Sequence, residues 1–226
     1  KTGAFVIPIL NKLVGKADTS VDTLIIVPTR ELAIQIEQQI QGLSYFVSVG
    51  SLAVYGGGGG KDWQIEKDAL VNGTDIIVAT PGKLISHLKL GYVNFKKVKH
   101  LVLDEADRML DMGFAEDLKT IISHLPEKHQ TLMFSATMPK AIAQLAKKTM
   151  NNPAEIALSI SKPAAGVKQE LFLTFDEQKI GVIQHLLAER TDYDSIIIFT
   201  SSKSRVSEIV RALNRKGLKS KGISSN

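Results

Sequence analysis

The chain has no cysteine in its 226 residues. That excludes a disulfide framework and any thiolate metal site, and it fits a reducing cytoplasm, the expected location. No run reaches the ~18 apolar residues a membrane span needs, so no membrane partner is expected. The chain opens Lys1-Thr2-Gly3 and meets a proline at Pro8, with no secretory leader pattern. Tryptophan occurs once, as Trp63, which reads as a packing residue rather than a base-stacking platform. The histidines (His87, His100, His124, His129, His185) fall without metal-ligand spacing and read as structural. There is no internal repeat, and the run Gly56 to Gly60 is the one low-complexity stretch.

What is present is a chain 44% hydrophobic, enough for a real core. Lysine and arginine exceed aspartate and glutamate by 28 − 23 = 5, a balance that permits a polyanionic partner. The organising stretch is Leu101-Val102-Leu103-Asp104-Glu105-Ala106-Asp107. Three apolar residues read as a short buried strand that ends on an acidic pair. In an open α/β sheet, ligands sit beyond the carboxyl ends of the strands. Two carboxylates there suit a nucleotide hydrolase: one holds Mg²⁺ on the phosphates, and the other orients or deprotonates a water. Alone, the pair also fits an ordinary acidic helix start.

Other strand ends repeat the theme. Thr23 to Pro28 is β-branched and apolar, and Thr29 follows as a helix N-cap with Glu31 in the first turn. The helix from Arg30 to about Leu43 carries Leu32, Ile36, Ile40 and Leu43 on one face. Val49 to Tyr55 reads as a strand that breaks into the glycines, the last three of which read as a flexible turn. Asp75 to Ala79 is a strand ending in Thr80-Pro81-Gly82-Lys83, where Thr80 can cap and a helix runs from Lys83 to Leu90. Two such helix N-termini side by side bind phosphates without reading bases. Phe114 to Leu125 and Pro139 to Met150 read as amphipathic helices, and Met109, Met112 and Met133 as core. Gln130 to Phe134 is a strand ending in Ser135-Ala136-Thr137, whose hydroxyls can bond Asp107. Pro153 to Leu158 is expected as a last short strand.

The expected division is 1–158, a linker over 159–168, and 169–226. The last part alternates strand (169–175), helix (177–189), strand (195–199), helix (202–216) and strand (218–221). It is too short to bury a full core alone.

Taken in order, Lys1-Thr2, Pro28-Thr29-Arg30-Glu31-Leu32, Gly56-Gly57, Thr80-Pro81-Gly82-Lys83, Asp104-Glu105-Ala106-Asp107, Arg108 to Phe114, and Ser135-Ala136-Thr137-Met138-Pro139 resemble the DEAD-box RNA helicases of superfamily 2. The core, without large insertions, looks bacterial. The resemblance implies an α/β, RecA-like P-loop NTPase fold. A parallel sheet is flanked by helices, with one nearly complete ATP-binding lobe at 1–158 and the start of a second at 169–226. It implies an ATP hydrolase that couples Mg-ATP to binding and local unwinding of short RNA duplexes through the RNA backbone, as a monomer.

Carried over by position, Lys1 would contact the β- and γ-phosphates and Thr2 would hold Mg²⁺. Asp104 would hold Mg²⁺ through water, and Glu105 would position the attacking water. Asp107, Ser135 and Thr137 would couple nucleotide to RNA. Pro28, Thr29, Arg30, Gly57, Thr80, Pro81, Gly82 and Lys83 would line RNA, joined from the second lobe by Phe199 and Ser202. Ser202 stands where the family often has threonine. Lys83 stands where arginine is more usual, which replaces a bidentate fork by a point charge. The phosphate-loop glycines and the late second-lobe arginines do not occur in the 226 residues, and an arginine finger is worth roughly 10³–10⁵ in rate. The chain by itself is therefore expected not to turn over ATP usefully. Three other readings share part of this evidence: a DNA-directed helicase or translocase, an RNA clamp without turnover, and a generic P-loop signalling ATPase.

Overall fold

Three four-residue strands, at 23–26, 76–79 and 100–103, are buried throughout, as a parallel sheet covered by helices requires, and the two edge strands, at 51–54 and 130–133, are partly exposed. The computed structural model describes residues 1–16, 18, 20–57, 60–157, 166–189 and 193–224. The chain divides into two compact units, Lys1–Ile156 and Ala157–Asn226.

In the first unit the order is α1 (Thr2–Leu13), β1 (Thr23–Ile26), α2 (Arg30–Leu43), β2 (Ser51–Val54), α3 (Gly60–Asn72), β3 (Ile76–Ala79), α4 (Pro81–Leu88), β4 (His100–Leu103), α5 (Ala106–Asp111), α6 (Ala115–Ser123), β5 (Gln130–Met133) and α7 (Lys140–Thr149). The strands form one sheet in the order β2-β3-β1-β4-β5, and every pairing is parallel. In register, Ile25 lies between Val78 and Val102.

Alternation along the strands splits the core in two. Leu24, Ile26, Ile77, Ala79, Leu101 and Leu103 face a layer that includes Leu84, Leu88, Met109, Leu118 and Ile142. Ile25, Val27, Ile76, Val78 and Val102 face Phe5, Ile9, Leu13, Ile36 and Ile40. Each fully buried side chain of this size contributes about 1.5–3 kcal/mol.

The amino-terminal edge of the sheet is locked by charge. Buried Asp22 accepts from His100 Nδ1 at 3.0 Å and pairs with Lys99 at 3.0 Å. The amides of Lys99 and His100 donate to its carbonyl. Burial by itself would raise the Asp22 carboxyl, but the hydrogen bonds from Lys99 and His100 outweigh it and hold the group below the usual carboxylate value.

Over the first unit the sequence reading gives the order of strands and helices, and the structure corrects it at several points, among them Leu43, which is exposed rather than on the buried face of α2. The glycine run does not end in a turn: Gly60 begins α3, and Gly58 and Gly59 lie outside the described residues. The helix after Thr80 begins at Pro81 rather than Lys83. Met112 is half-exposed rather than core, since α5 ends at Asp111 and the chain turns outward at Gly113. Residues 153–157 form no strand, and Leu158 lies outside the described residues. Most of the expected linker, 159–165, also lies outside them.

The second unit has a 3₁₀ turn at Asp176–Gln178, α8 (Lys179–Glu189) and α9 (Lys203–Arg215). Its three expected strands are not formed among the described residues. The apolar segments have no ladder to join, and Leu173 and Phe199 stay 94% and 91% exposed. A β-rich pattern becomes a strand only when a neighbour takes up its amides and carbonyls.

Asp22→Ala removes the acceptor of buried His100 and of exposed Lys99 and is expected to cost about 1–3 kcal/mol, as for a buried donor left without its partner. Denaturant unfolding measures it. Because the folded Asp22 carboxyl lies below its unfolded value of ~3.9, its contribution is fully present above that pH. It is lost as pH falls through the lower folded value.

Candidate functional site

From β1 the chain crosses to β2 on one side, whereas from β4 it runs to β5 on the other. The neighbours β1 and β4 therefore form the topological switch point, where a crevice opens at their carboxyl ends. Val27-Pro28-Thr29 leaves one lip, and Asp104-Glu105 leaves the other. The Asp104 amide donates to the Ile26 carbonyl at 3.0 Å, which ties the two strand ends together.

Asp104 is 4% exposed. Burial pushes its carboxyl above the usual value, the Glu105 charge adds to this, and the charge of Lys1 pulls the other way. Lys1, at the start of α1, therefore lies within electrostatic reach of the acidic strand end. Thr2 is the first residue of α1 and is partly buried.

Glu105 adopts a left-handed backbone, φ 52° and ψ 49°. For a residue with a Cβ this costs about 1–2 kcal/mol. Asp104 Oδ1 accepts the Glu105 amide at 2.9 Å, and Arg108 Nη1 meets the Glu105 carboxylate at 3.3 Å. The strained turn aims a half-exposed carboxylate outward beside a buried one. Such strain concentrates at functional sites.

The end of β5 is fastened to the same turn. The amide and hydroxyl of Thr137 donate to Asp107 Oδ2 at 3.0 and 2.8 Å, and the Ala106 amide donates to the Phe134 carbonyl at 3.0 Å. Ser135 donates to the Thr137 carbonyl at 2.6 Å and also lies close enough to Asp107 to lower its carboxyl. Burial opposes that effect but is outweighed, so Asp107 sits below the usual carboxylate value. Asp104, Glu105, Asp107, Ser135 and Thr137 thus stand along one edge, just past the carboxyl ends of β4 and β5.

The expected RNA contacts stand on the other three strands. Thr29 is the N-cap of α2, its hydroxyl accepting from the Leu32 amide at 3.3 Å. Arg30 is exposed and lies 5.0 Å over the Tyr55 ring. Gly57 has φ +93°, a backbone conformation that side chains with a Cβ rarely adopt, and it lies against Arg30 Nη1, which a Cβ would meet at 3.0 Å. Thr80 takes the N-cap position of α4 but makes no side-chain cap hydrogen bond, contrary to the sequence reading. Gly82 is exposed. Pro28 and Pro81 are buried; they shape the turns, and contact falls to their neighbours. Lys83 is not free: its ammonium is 2.9 Å from Glu66 and 4.5 Å over Trp63. Phe199 and Ser202 belong to the second unit. Phe199 is exposed, and Ser202 caps α9 through the Arg205 amide at 3.3 Å.

Sequence reasoning missed Glu66. The signal was available in the helical spacing of Trp63, Glu66 and Leu70, but α3 itself was hidden behind the glycines. It also missed Arg108, which reaches back one turn to Glu105.

The oxygen donors here, Asp104, Glu105 and Thr2, are of the kind Mg²⁺ takes. Among the described residues no group of three His, Cys, Asp or Glu could cage a metal. Mg²⁺ characteristically uses one or two carboxylates and lets substrate phosphates complete its shell, so these residues fit Mg²⁺ carried in with a nucleotide.

A parallel sheet with paired carboxylates at its switch point and a lysine-threonine helix start within charge range defines the class: a RecA-like nucleotide-binding lobe. The DEAD/DEAH box helicase family model matches residues 1–145. The chain belongs to that family. It is 38% identical, over 100% of its length and 37% of the relative's, to the ATP-dependent RNA helicase DeaD of Buchnera aphidicola subsp. Acyrthosiphon pisum (strain APS). It is 38% identical to the DEAD-box ATP-dependent RNA helicase CshA of Geobacillus kaustophilus (strain HTA426), over 99% of the chain and 47% of the relative. It is 37% identical to DeaD of Escherichia coli (strain K12), over 100% of the chain and 36% of the relative. The chain therefore spans between about a third and a half of these relatives' lengths.

Thr137→Ala deletes the hydroxyl that donates to Asp107. The Asp107 carboxyl is expected to titrate higher, toward its ordinary value, in a carboxyl-carbon NMR titration. An unchanged titration would show that the hydroxyl does not hold Asp107 in solution.

Proposed function

We propose that this chain is the core of an ATP-dependent RNA helicase, in which 1–158 is the nucleotide-binding lobe and 169–226 begins a second RecA-like lobe. The observation that carries the reading is the fastening of Asp104-Glu105-Ala106-Asp107 to Ser135-Ala136-Thr137 at the crevice beside Thr29. It puts the acidic pair and the RNA-facing helix starts on one continuous edge.

In this reading Lys1 would meet the β- and γ-phosphates as a point charge, and Thr2 and the buried carboxylate of Asp104, the latter through water, would hold Mg²⁺. The ion, when bound, would supply charge neutralisation on the phosphates. Glu105, turned outward by its left-handed backbone and steadied by Arg108, orients the attacking water and takes its proton. Asp107 joins this turn to Thr137, so a shift at either strand end reaches the other.

On the neighbouring strands, Thr29, Arg30, Gly57, Thr80 and Gly82 meet RNA phosphates and 2′-hydroxyls. Amides at a helix start hold phosphate without sensing the base, so binding is indifferent to sequence. In the second unit, Phe199 and Ser202 are the residues that meet RNA in this reading. A cytoplasmic monomer belongs to the same reading.

The test is ATP turnover by the full-length protein containing this chain, with and without single-stranded RNA, beside Glu105→Gln. Strong RNA stimulation is expected, with Glu105→Gln lowering turnover by at least 10² through loss of the water-orienting base. RNA binding without turnover would replace the helicase by a clamp. Turnover indifferent to RNA would remove the RNA assignment.

A further inference from the structure

Outside the acidic edge, the most completely satisfied polar cluster lies between α3 and α4. Trp63 and Glu66 are three apart on α3, and Lys83 and His87 are four apart on α4, so each pair shares a helix face. Glu66 is 5% exposed and His87 is 0% exposed. Glu66 Oε2 meets Lys83 Nζ at 2.9 Å and His87 Nε2 at 3.1 Å, while Glu66 Oε1 accepts from the Tyr55 amide at 3.4 Å. The Trp63 ring stacks on His87 at 4.0 Å and 15°, and the Lys83 ammonium lies 4.5 Å over it.

The partners assign the protons. His87 Nδ1 accepts from the Tyr92 hydroxyl, so His87 Nε2 carries the proton that Glu66 accepts. Burial, the largest influence, pushes His87 below its usual value and keeps it neutral. The cluster therefore contains one carboxylate, one ammonium and neutral donors, and the Lys83 charge is cancelled within it.

Lys83 ends the Thr80-Pro81-Gly82-Lys83 turn, one of the proposed RNA-facing helix starts. A phosphate that drew Lys83 away would leave Glu66 buried with only His87 and the Tyr55 amide as donors. Uncompensated buried charge is costly. We infer that Glu66 is a specificity-determining residue that withholds Lys83 from the RNA backbone, so that α4 meets RNA through its helix start and not through a lysine charge. The Trp63 ring, 4.5 Å from the ammonium, adds to the restraint. The inference takes its occupant from the RNA reading and its geometry from the ion pair.

The test uses Glu66→Gln, which removes the charge and keeps the shape with one acceptor oxygen in place of two, and Lys83→Met. Binding of a labelled single-stranded RNA is measured over a salt series in the full chain. Glu66→Gln is expected to bind severalfold tighter, with the log–log salt slope steeper by about 0.7, the value for one added phosphate contact on a single strand. Lys83→Met is expected to keep the unsubstituted chain's slope, and the double variant to lose the gain. Trp63, the one tryptophan, should change its emission on RNA binding only in Glu66→Gln. An unchanged slope, or weaker binding by Glu66→Gln, would overturn the withholding role. A second readout needs no RNA. Acylation of Lys83, followed by peptide mass spectrometry against exposed Lys89, should be severalfold faster in Glu66→Gln. Equal rates would overturn the restraint, whereas faster acylation with no RNA binding by any variant would uphold the restraint and sink the RNA reading.

Discussion

The structure rests on the requirement that a parallel sheet be covered on both faces. Every strand of the first unit runs the same way, so all five carboxyl ends open on one edge. Helices must return the chain over both faces, and the two buried layers that result hold β1 and β4 without solvent contact. With the core rigid on both sides, residues a few positions past each strand are placed to within the reach of a hydrogen bond. The acidic edge is chemistry attached to that frame.

Within the edge, position follows strand order. The strands that end in helix starts, β2, β3 and β1, lie together, and the strands that end in acids and hydroxyls, β4 and β5, lie beyond them. Tension sits where the two groups meet. Glu105 accepts an unfavourable backbone there because Asp104 holds its amide and Ala106 is tied to Phe134. The Asp107–Thr137 bonds link elements thirty residues apart and need no water to carry the connection. Burial raises the proton affinity of Asp104, whereas the hydrogen bonds from Thr137 and Ser135 outweigh burial and hold Asp107 low, so two carboxyls three residues apart differ in their affinity for protons.

Much of this was legible in the chain itself. Leu101-Val102-Leu103 could be read as a buried strand because it is short, apolar and β-rich, and its acidic end was visible in the next two letters. Thr29 could be read as a cap from its place before Arg30 and Glu31. Met112 was misread because hydrophobicity does not say that a helix has stopped. The strands expected after residue 168 were misread for a deeper reason. Extended propensity is a preference for a partner, and within its own unit each segment lacks one. Glu66 escaped notice because a helix opening on glycine contradicts propensity, so the buried face of α3 was not sought.

Sequence alone determined the parallel α/β class, the order of strand ends, and which side chains could carry charge or a hydroxyl there. Those properties are local: a period of two or of 3.6, a cap, a glycine that must have positive φ. Tertiary structure decided which of these residues were free to act. Pro28 and Pro81 were drawn inside by their turns, and Lys83 was taken up by an acid seventeen positions earlier in the chain. Whether a charge faces solvent or another charge depends on what packs across from it, and that is set by helices meeting over a sheet.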